Sequence, residues 1–281
     1  MLNKLKSPRA VYWLGAALLI VSGAIYGQRA FREYPALEGA ESEAALPPDY
    51  QTPAEFVVGR LMYPPAANSR LGFGGNWKDG NSSWTIDYPL GDRNLIRLLR
   101  RLTTVDVRSV EQPVDLDDGD DVFNWPFLVA SNVGSWDLND AQAAKLREYL
   151  LRGGFLLCDS YFGTREWAGF EPVLKRVFPD RPIVDLPDDH PIFTTVYDLK
   201  QRTQVRNMRS MRGRGVGYRD DGSIPHWRAI LDDSGRVMVM MTFNNDLGDS
   251  WQYADNPVYP QEDSNEGIRL GVNFAVYDMT H

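Results

Sequence analysis

Three short stretches carry residue types able to do chemistry. Cys158, Asp159 and Ser160 stand in a row at the end of the apolar run FLLC, with Tyr161 and Phe162 behind them. A thiolate or hydroxyl there could act as a nucleophile if a base lay within hydrogen-bond reach. His190 sits in PDDHPIF, where Asp188 and Asp189 could orient it as a general base. D-H-P is equally an ordinary turn. Asn245, Asp246, Asp249 and Trp251 fall together in NNDLGDSW. Their oxygens could hold a hard cation, but the spacing of a calcium-binding EF loop is missing. A loop of this composition commonly bonds its own backbone. Trp251 would then offer a platform for a sugar or another ring. A triad of Cys158 or Ser160 with His190 and Asp246 can be written down, though spacing alone gives no distances. The single Cys and three scattered His (His190, His226, His281) exclude a Cys- or His-rich metal cluster, so no metal site is expected. No cofactor is expected either, since G-x-G-x-x-G and P-loop patterns are absent.

The elements that must position these residues are clearest at the centre of the chain. WPFLVAS, residues 125–131, is a continuous apolar run, as in a strand buried on both faces. The loop NVGSWDL follows and contains Gly134, Ser135 and Trp136. Asn139 can cap a helix that runs to Arg152 and ends at Gly153 and Gly154. The apolar run 155–158 is the next strand. This is a βαβ unit with parallel strands. The loops after its two strands emerge at one sheet edge, the edge where open α/β sheets bind ligands. One pocket is therefore expected from Gly134–Trp136, Asp159–Phe162, Asp189–His190 and Asn245–Trp251.

Elsewhere, FVVGRLMY reads as a first strand and VDVRSV as a second. The long irregular segment 64–91 contains Phe73, Trp77, Trp84 and Tyr88, whose aromatic content argues against disorder. Asp92 suits an N-cap for a helix with Leu95, Leu98, Leu99 and Leu102 on one face. Helices are also expected over 166–178 and 266–279. HWRAILDDSGRVMVMMTF reads as a hairpin turning at Asp-Asp-Ser-Gly. NNDLGDSW reads as a polar loop.

The chain has 281 residues, 43% hydrophobic and 24% charged, which is ordinary for a globular protein. Its first 34 residues differ. Lys4, Lys6 and Arg9 precede an uncharged apolar run over residues 10–26, and Arg29 and Arg32 follow. As a helix this run would be about 25 Å long, at the low end for spanning a bilayer. A retained signal anchor with a transmembrane helix over about 10–27 is expected, with a cleaved signal as the alternative. Either exports the body. Residues 35–54, rich in Pro, Ala and Glu, read as a flexible tether. The first 34 residues carry five basic groups and one acid, so a chain of net charge −8 leaves −12 on the body. Such a body is repelled by phosphate backbones, which excludes nucleic acid as a partner. Arg206, Arg209, Arg212, Arg214 and Arg219 form a basic stretch that reads as a solvated loop or a seat for an acidic partner or lipid headgroups.

Taken in order, WPFLVASNVGSWDLNDAQAAKLREYLLRGGFLLCDSYFG, VFPDRPIVDLPDDHPIFTTVYDL, FNNDLGDSWQY and EGIRLGVNFAVYDMT resemble the DUF4159 domain, over about residues 55–281. The resemblance implies an α/β fold. That fold is a parallel-sheet three-layer sandwich, flavodoxin-like and similar to class I glutamine amidotransferases, here with an added β-hairpin. It implies no reaction. Active amidotransferases place a Cys on a glycine-flanked strained turn, paired with a downstream His-x-Glu. LLCDSYF has no flanking Gly, and no His-x-Glu follows. The expectation is therefore a membrane-anchored, extracytoplasmic binding module at the inner membrane. Its partners would be the bilayer, through residues 10–27, and an envelope protein or a small polar ligand. The alternative is a hydrolase using Cys158 or Ser160 and His190 around Asp159.

Overall fold

A computed structural model describes residues 29–67, 76–212 and 215–281. The apolar run over residues 10–26 lies outside them. Among the described residues no helix is long and apolar enough to cross a membrane.

The strands are β1 Val58–Met62, β2 Gln112–Asp115, β3 Phe127–Ser131, β4 Phe155–Asp159, β5 Val184–Asp185, β6 His226–Leu231 and β7 Val237–Phe243. They form one seven-stranded sheet in the order β2-β1-β3-β4-β7-β6-β5. The pairs β1–β2, β1–β3, β3–β4 and β4–β7 are parallel, whereas β6 runs antiparallel to both β7 and β5. The expected hairpin is thus present as β6–β7, and it is built into the sheet. The helices are α1 Leu90–Leu102, α2 Asp140–Leu151, α3 Gly163–Val177, α4 Met208–Met211, α5 Leu247–Gln252 and α6 Gln261–Thr280.

Strand alternation divides the core. Leu128, Ala130, Leu156 and Cys158 face one side, against Leu146 and Leu150 of α2 and Phe170 and Leu174 of α3. Phe127, Val129, Phe155 and Leu157 face the other, against Leu95 and Leu99 of α1, Trp251 of α5 and Leu270 and Phe274 of α6. With both faces covered, β3 and β4 read as continuous apolar runs. The Asn139 cap is as expected, its side chain accepting from the Gln142 N–H within a capping box. Gly154 is required by close approach, since a Cβ there would lie 2.2 Å from the Tyr149 ring.

Several expectations are corrected. Asp92 is not a cap; it lies inside α1, wholly buried, with both carboxylate oxygens on Arg60 of β1 at 2.7 and 2.9 Å. The edge strand β2 is QPVD rather than VDVRSV, of which Val107 keeps only an isolated bridge to Phe56. Pro113 is tolerated there because an edge strand has a side without partners. NNDLGDSW is no exposed loop, because its second half forms the buried helix α5 with Asp246 as N-cap. Residues 35–54 do not hang free. With Glu33 and Tyr34 before them they lie along the body as a strap, with Leu37 N–H donating to the Thr85 carbonyl and Leu90 N–H to the Ser42 carbonyl.

Candidate functional site

The carboxyl ends of β3, β4 and β7 meet in one polar floor. Each exits through a residue in the left-handed region: Asn132 at φ 57°, Ser160 at 61° and Asn244 at 64°. Short polar side chains tolerate this conformation better than most, and Asn better than Ser. Asp159 ends β4 fully buried, accepting from Thr242 Oγ1 at 2.5 Å and from the Gly248 N–H at 2.9 Å. Ser160 Oγ donates to Asp246 Oδ2 at 3.0 Å. Asn207 Nδ2 donates to Asp246 and Asp249 at 2.7 and 3.0 Å, and the Met208 N–H to Asp249 at 2.6 Å. Asp87, at φ 60° in the segment before α1, completes the group. Oxygens of Asp87, Asp246 and Asp249 lie within 4.8 Å of one another, and all three side chains are buried.

Burial pushes these carboxyls up, and their mutual charge adds to it. Asp87 and Asp249 are raised well above the usual carboxylate range, by burial first and then by Asp246. Asp159 is pushed up to about 7 by burial and then by Asp246. Asp246 is raised by burial against the opposing charge of Arg219 and the Asn207 hydrogen bond. An all-oxygen set of this kind suits a hard divalent cation by ligand type. Ser160 Oγ, the Asn207 amide and the Met208 N–H already occupy oxygens of Asp246 and Asp249.

The expected site residues do not stay together. Asp159, Ser160, Asp246 and Asp249 do converge, and Asn245 lies beside them, its Oδ1 accepting from the Val205 N–H. Gly134 and Ser135 sit at the same edge but face elsewhere. Gly134 lies against Glu166, while Ser135 Oγ reaches Ser83 Oγ at 3.2 Å. The aromatic residues are core. Trp136 stacks on Phe170, Tyr161 packs against Phe170 and Phe243, and Phe162 is buried. Trp251 is buried with its indole N–H on the Gly267 carbonyl, so it offers no platform.

His190 does not reach this floor. Its ring packs near Tyr277, whose hydroxyl accepts from Val237 N–H at the start of β7, whereas Asp246 follows the end of β7. A seven-residue strand places those ends about 20 Å apart. His190 Nδ1 accepts from the Ile192 N–H, and burial followed by the charge of His281 lowers its pKa, so it is a neutral turn residue. His226 stacks on Phe243 beside Asp185. Among the described residues no histidine bonds Ser160, Asp159 or Asp246. The first amides of α3, which an oxyanion would need, are filled by Glu166, Asn244 and Asp221. The single pocket and the hydrolase triad therefore do not assemble.

Cys158 is wholly buried in the core, and burial pushes its thiol well up. Native protein is expected to resist a thiol reagent at neutral pH on a timescale at which unfolded chain reacts fully. Cys158→Ala should leave binding unchanged. Rapid labelling of folded protein would contradict this placement.

Two segments cover the floor. The strap inserts Glu38, whose side chain is 3% exposed, to accept from the Asp87 N–H at 3.1 Å and Ser42 Oγ at 2.8 Å. With its amide nitrogen turned toward the carboxylates, Gln252 donates to both Asp87 and Glu38. The basic stretch comes from the other side. Arg209 pairs with Glu38 and Arg212 with Glu41, while Arg206 holds Asp263 and Arg219 holds Glu166. These arginines are paired, although Arg209 and Arg212 stay about half exposed, and Arg214 lies outside the described residues. The strap then descends along α1, with Glu33 on Arg93 and Asp49 on Arg100. Asp87, Glu38 and Asn207 were not legible as site residues. Each owes its role to partners far away in sequence, and WTIDYP and NMRS carry no periodicity that singles them out.

No curated protein matches the chain. A family model described as "Domain of unknown function (DUF4159)" matches residues 75–279. That span takes in α1, β2 to β7, the polar floor and the clasping arginines, and leaves out the strap. The chain belongs to the DUF4159 family.

Proposed function

We propose that this chain is a membrane-anchored, extracytoplasmic binding module of the cell envelope, with its binding site at the carboxyl edge of the sheet beneath the strap. The order β2-β1-β3-β4-β7 supports a flavodoxin-like, class I glutamine amidotransferase-like reading of the fold. In that order ligands bind outside the carboxyl ends of the strands. The observation that carries the reading is the cover over that edge. It is held by ion pairs that each have at least one exposed partner, by the buried carboxylate of Glu38 and by a few backbone bonds, with no buried apolar side chain between residues 35 and 54. Ion pairs of this kind are worth about 0–1 kcal/mol each. A segment so held opens by local unfolding well below the cost of global unfolding. The floor beneath offers carboxyl, amide and hydroxyl groups, the chemistry of a small polar ligand.

Anchoring rests on the basic–apolar–basic order of the first 34 residues. A reporter fused after His281 should be active only outside the cytoplasm and should fractionate with membranes. Activity inside the cytoplasm contradicts the export. Release of a shortened soluble form favours a cleaved signal over the anchor.

A further inference from the structure

Resting on the reading of the strap as a removable cover, we propose that the face it lies on is a docking trough for an acidic, extended peptide segment of a partner protein. The strap already displays the required chemistry. Four of its carboxylates, Glu33, Glu38, Glu41 and Asp49, each meet an arginine of the body: Arg93, Arg209, Arg212 and Arg100. Arginine forks suit carboxylates, and their spacing along an extended chain sets its register.

The strap fills this trough poorly. A cavity of about 660 Å³ lies within its bend against Pro89, and another of about 550 Å³ lies between it and α1. Ala44 and Ala45 line both, so the strap is a thin partition there. Lifting it merges the two spaces. The wall left on α1 combines Leu90 and Ile96 with Arg93, Arg97, Arg100 and Arg101. That wall is cationic on a body whose balance is strongly negative, so the attraction is local to the trough. A partner segment with carboxylates spaced like those of the strap, and bulky apolar side chains where the strap has alanine, would make the same ion pairs and fill the space. A cleft flanked on one side by a helix admits an extended chain, and a flat lipid surface cannot enter it.

The test uses the full chain in detergent micelles and a labelled peptide with the sequence of residues 33–49, altered by Ala44→Leu and Ala45→Phe. Anisotropy should report saturable binding, tighter than that of the unaltered peptide by about ten-fold, the scale of burying one large apolar side chain. Arg97→Glu with Arg101→Glu, which reverses charge on the α1 wall and leaves the four strap pairs in place, should weaken it by about ten-fold. Hydrogen exchange in the same samples should show the chain's own strap losing protection as peptide binds. Glu38→Ala with Glu41→Ala in the chain should tighten binding by removing the internal competitor. Equal binding by a scrambled peptide of the same composition overturns the proposal. So does no binding to the strap-weakened chain, provided that its strap amides exchange fast. If those amides stay protected even then, the removable-cover reading itself has failed.

Discussion

Replacing Arg60 by methionine is expected to lower the unfolding free energy by about 3–5 kcal/mol. Arg60 lies in the middle of β1 with its side chain fully buried, and its guanidinium grips both oxygens of Asp92, equally buried in α1. Burial alone would depress the arginine, but the charge and hydrogen bonds of Asp92, with the charge of Asp87 behind them, together outweigh it and keep Arg60 a cation. The pair fastens α1 to the sheet. Without Arg60, Asp92 is a carboxyl left in the core without its ion-pair partner, the more distant charge of Arg93 aside, and that uncompensated group is the source of the cost. For a domain of this size the loss corresponds to a fall in Tm of roughly 6–20 °C. Adding Asp92→Leu to Arg60→Met should recover most of it, since an apolar pair has no charge to strand. Thermal unfolding followed by circular dichroism decides the matter. A loss under about 1 kcal/mol for the single variant contradicts the account.

The second large effect is a fall in stability as pH rises from 5 to 8, centred on the polar floor. The carboxyls of Asp87, Asp159, Asp246 and Asp249 all lie above their ordinary values in the folded protein. A raised acid keeps its proton in the folded state and loses it in the unfolded state. Its contribution is complete below the unfolded pKa near 3.8 and is lost as pH climbs through the folded value, about 7 for Asp159. Glu111, pushed up to about 7 mainly by burial, and Asp278, to about 8, act in the same direction. His190 and His226, both lowered by burial, act oppositely. Both are part-exposed, which reduces their weight. Asp249→Asn isolates the floor. The amide oxygen can still accept from the Met208 N–H, and the new NH₂ can donate toward Asp87. The variant should melt higher than wild type at pH 8, by an amount on the order of 1 kcal/mol, and the two should converge as pH falls to about 4. A variant less stable than wild type at pH 8 contradicts the assignment.

Where the sequence was readable, a local rule agreed with the tertiary outcome. The β3–α2–β4 unit could be read because both strands are buried on two faces and Asn139 and the paired glycines mark the helix ends. The hairpin could be read from its turn. What escaped depends on contacts distant along the chain. Asp92 looks like a helix cap until Arg60 is found opposite it. LGDSWQ looks like a loop because its polar groups suit turns, yet they bond inward to Asn207, Asp159 and one another. The strap has the composition of a tether, and only arginines far along the chain hold it down. Trp136 was expected to line the pocket and Trp251 to offer a platform, because a Trp beside Gly, Asp and Ser gives no sign of which way its ring turns. Cys158 was legible as core, because it continues an apolar strand and lacks the glycines that a nucleophile's strained turn needs.

The central claim is that the strap is a removable cover over the carboxyl edge, and native-state hydrogen exchange tests it most directly. The reporting amides are Leu37, Gly39 and Ser42 in the strap, with Leu156 to Cys158 of β4 as the internal reference. Raising salt from about 50 to about 500 mM shortens the screening length several-fold and weakens exposed pairs such as Arg212–Glu41 and Arg100–Asp49. The strap amides should exchange through an opening of lower free energy than the β4 amides, and about five-fold faster in the higher salt. The β4 amides should hardly respond. Strap amides that exchange only with global unfolding, in step with β4 at both salt concentrations, contradict the claim.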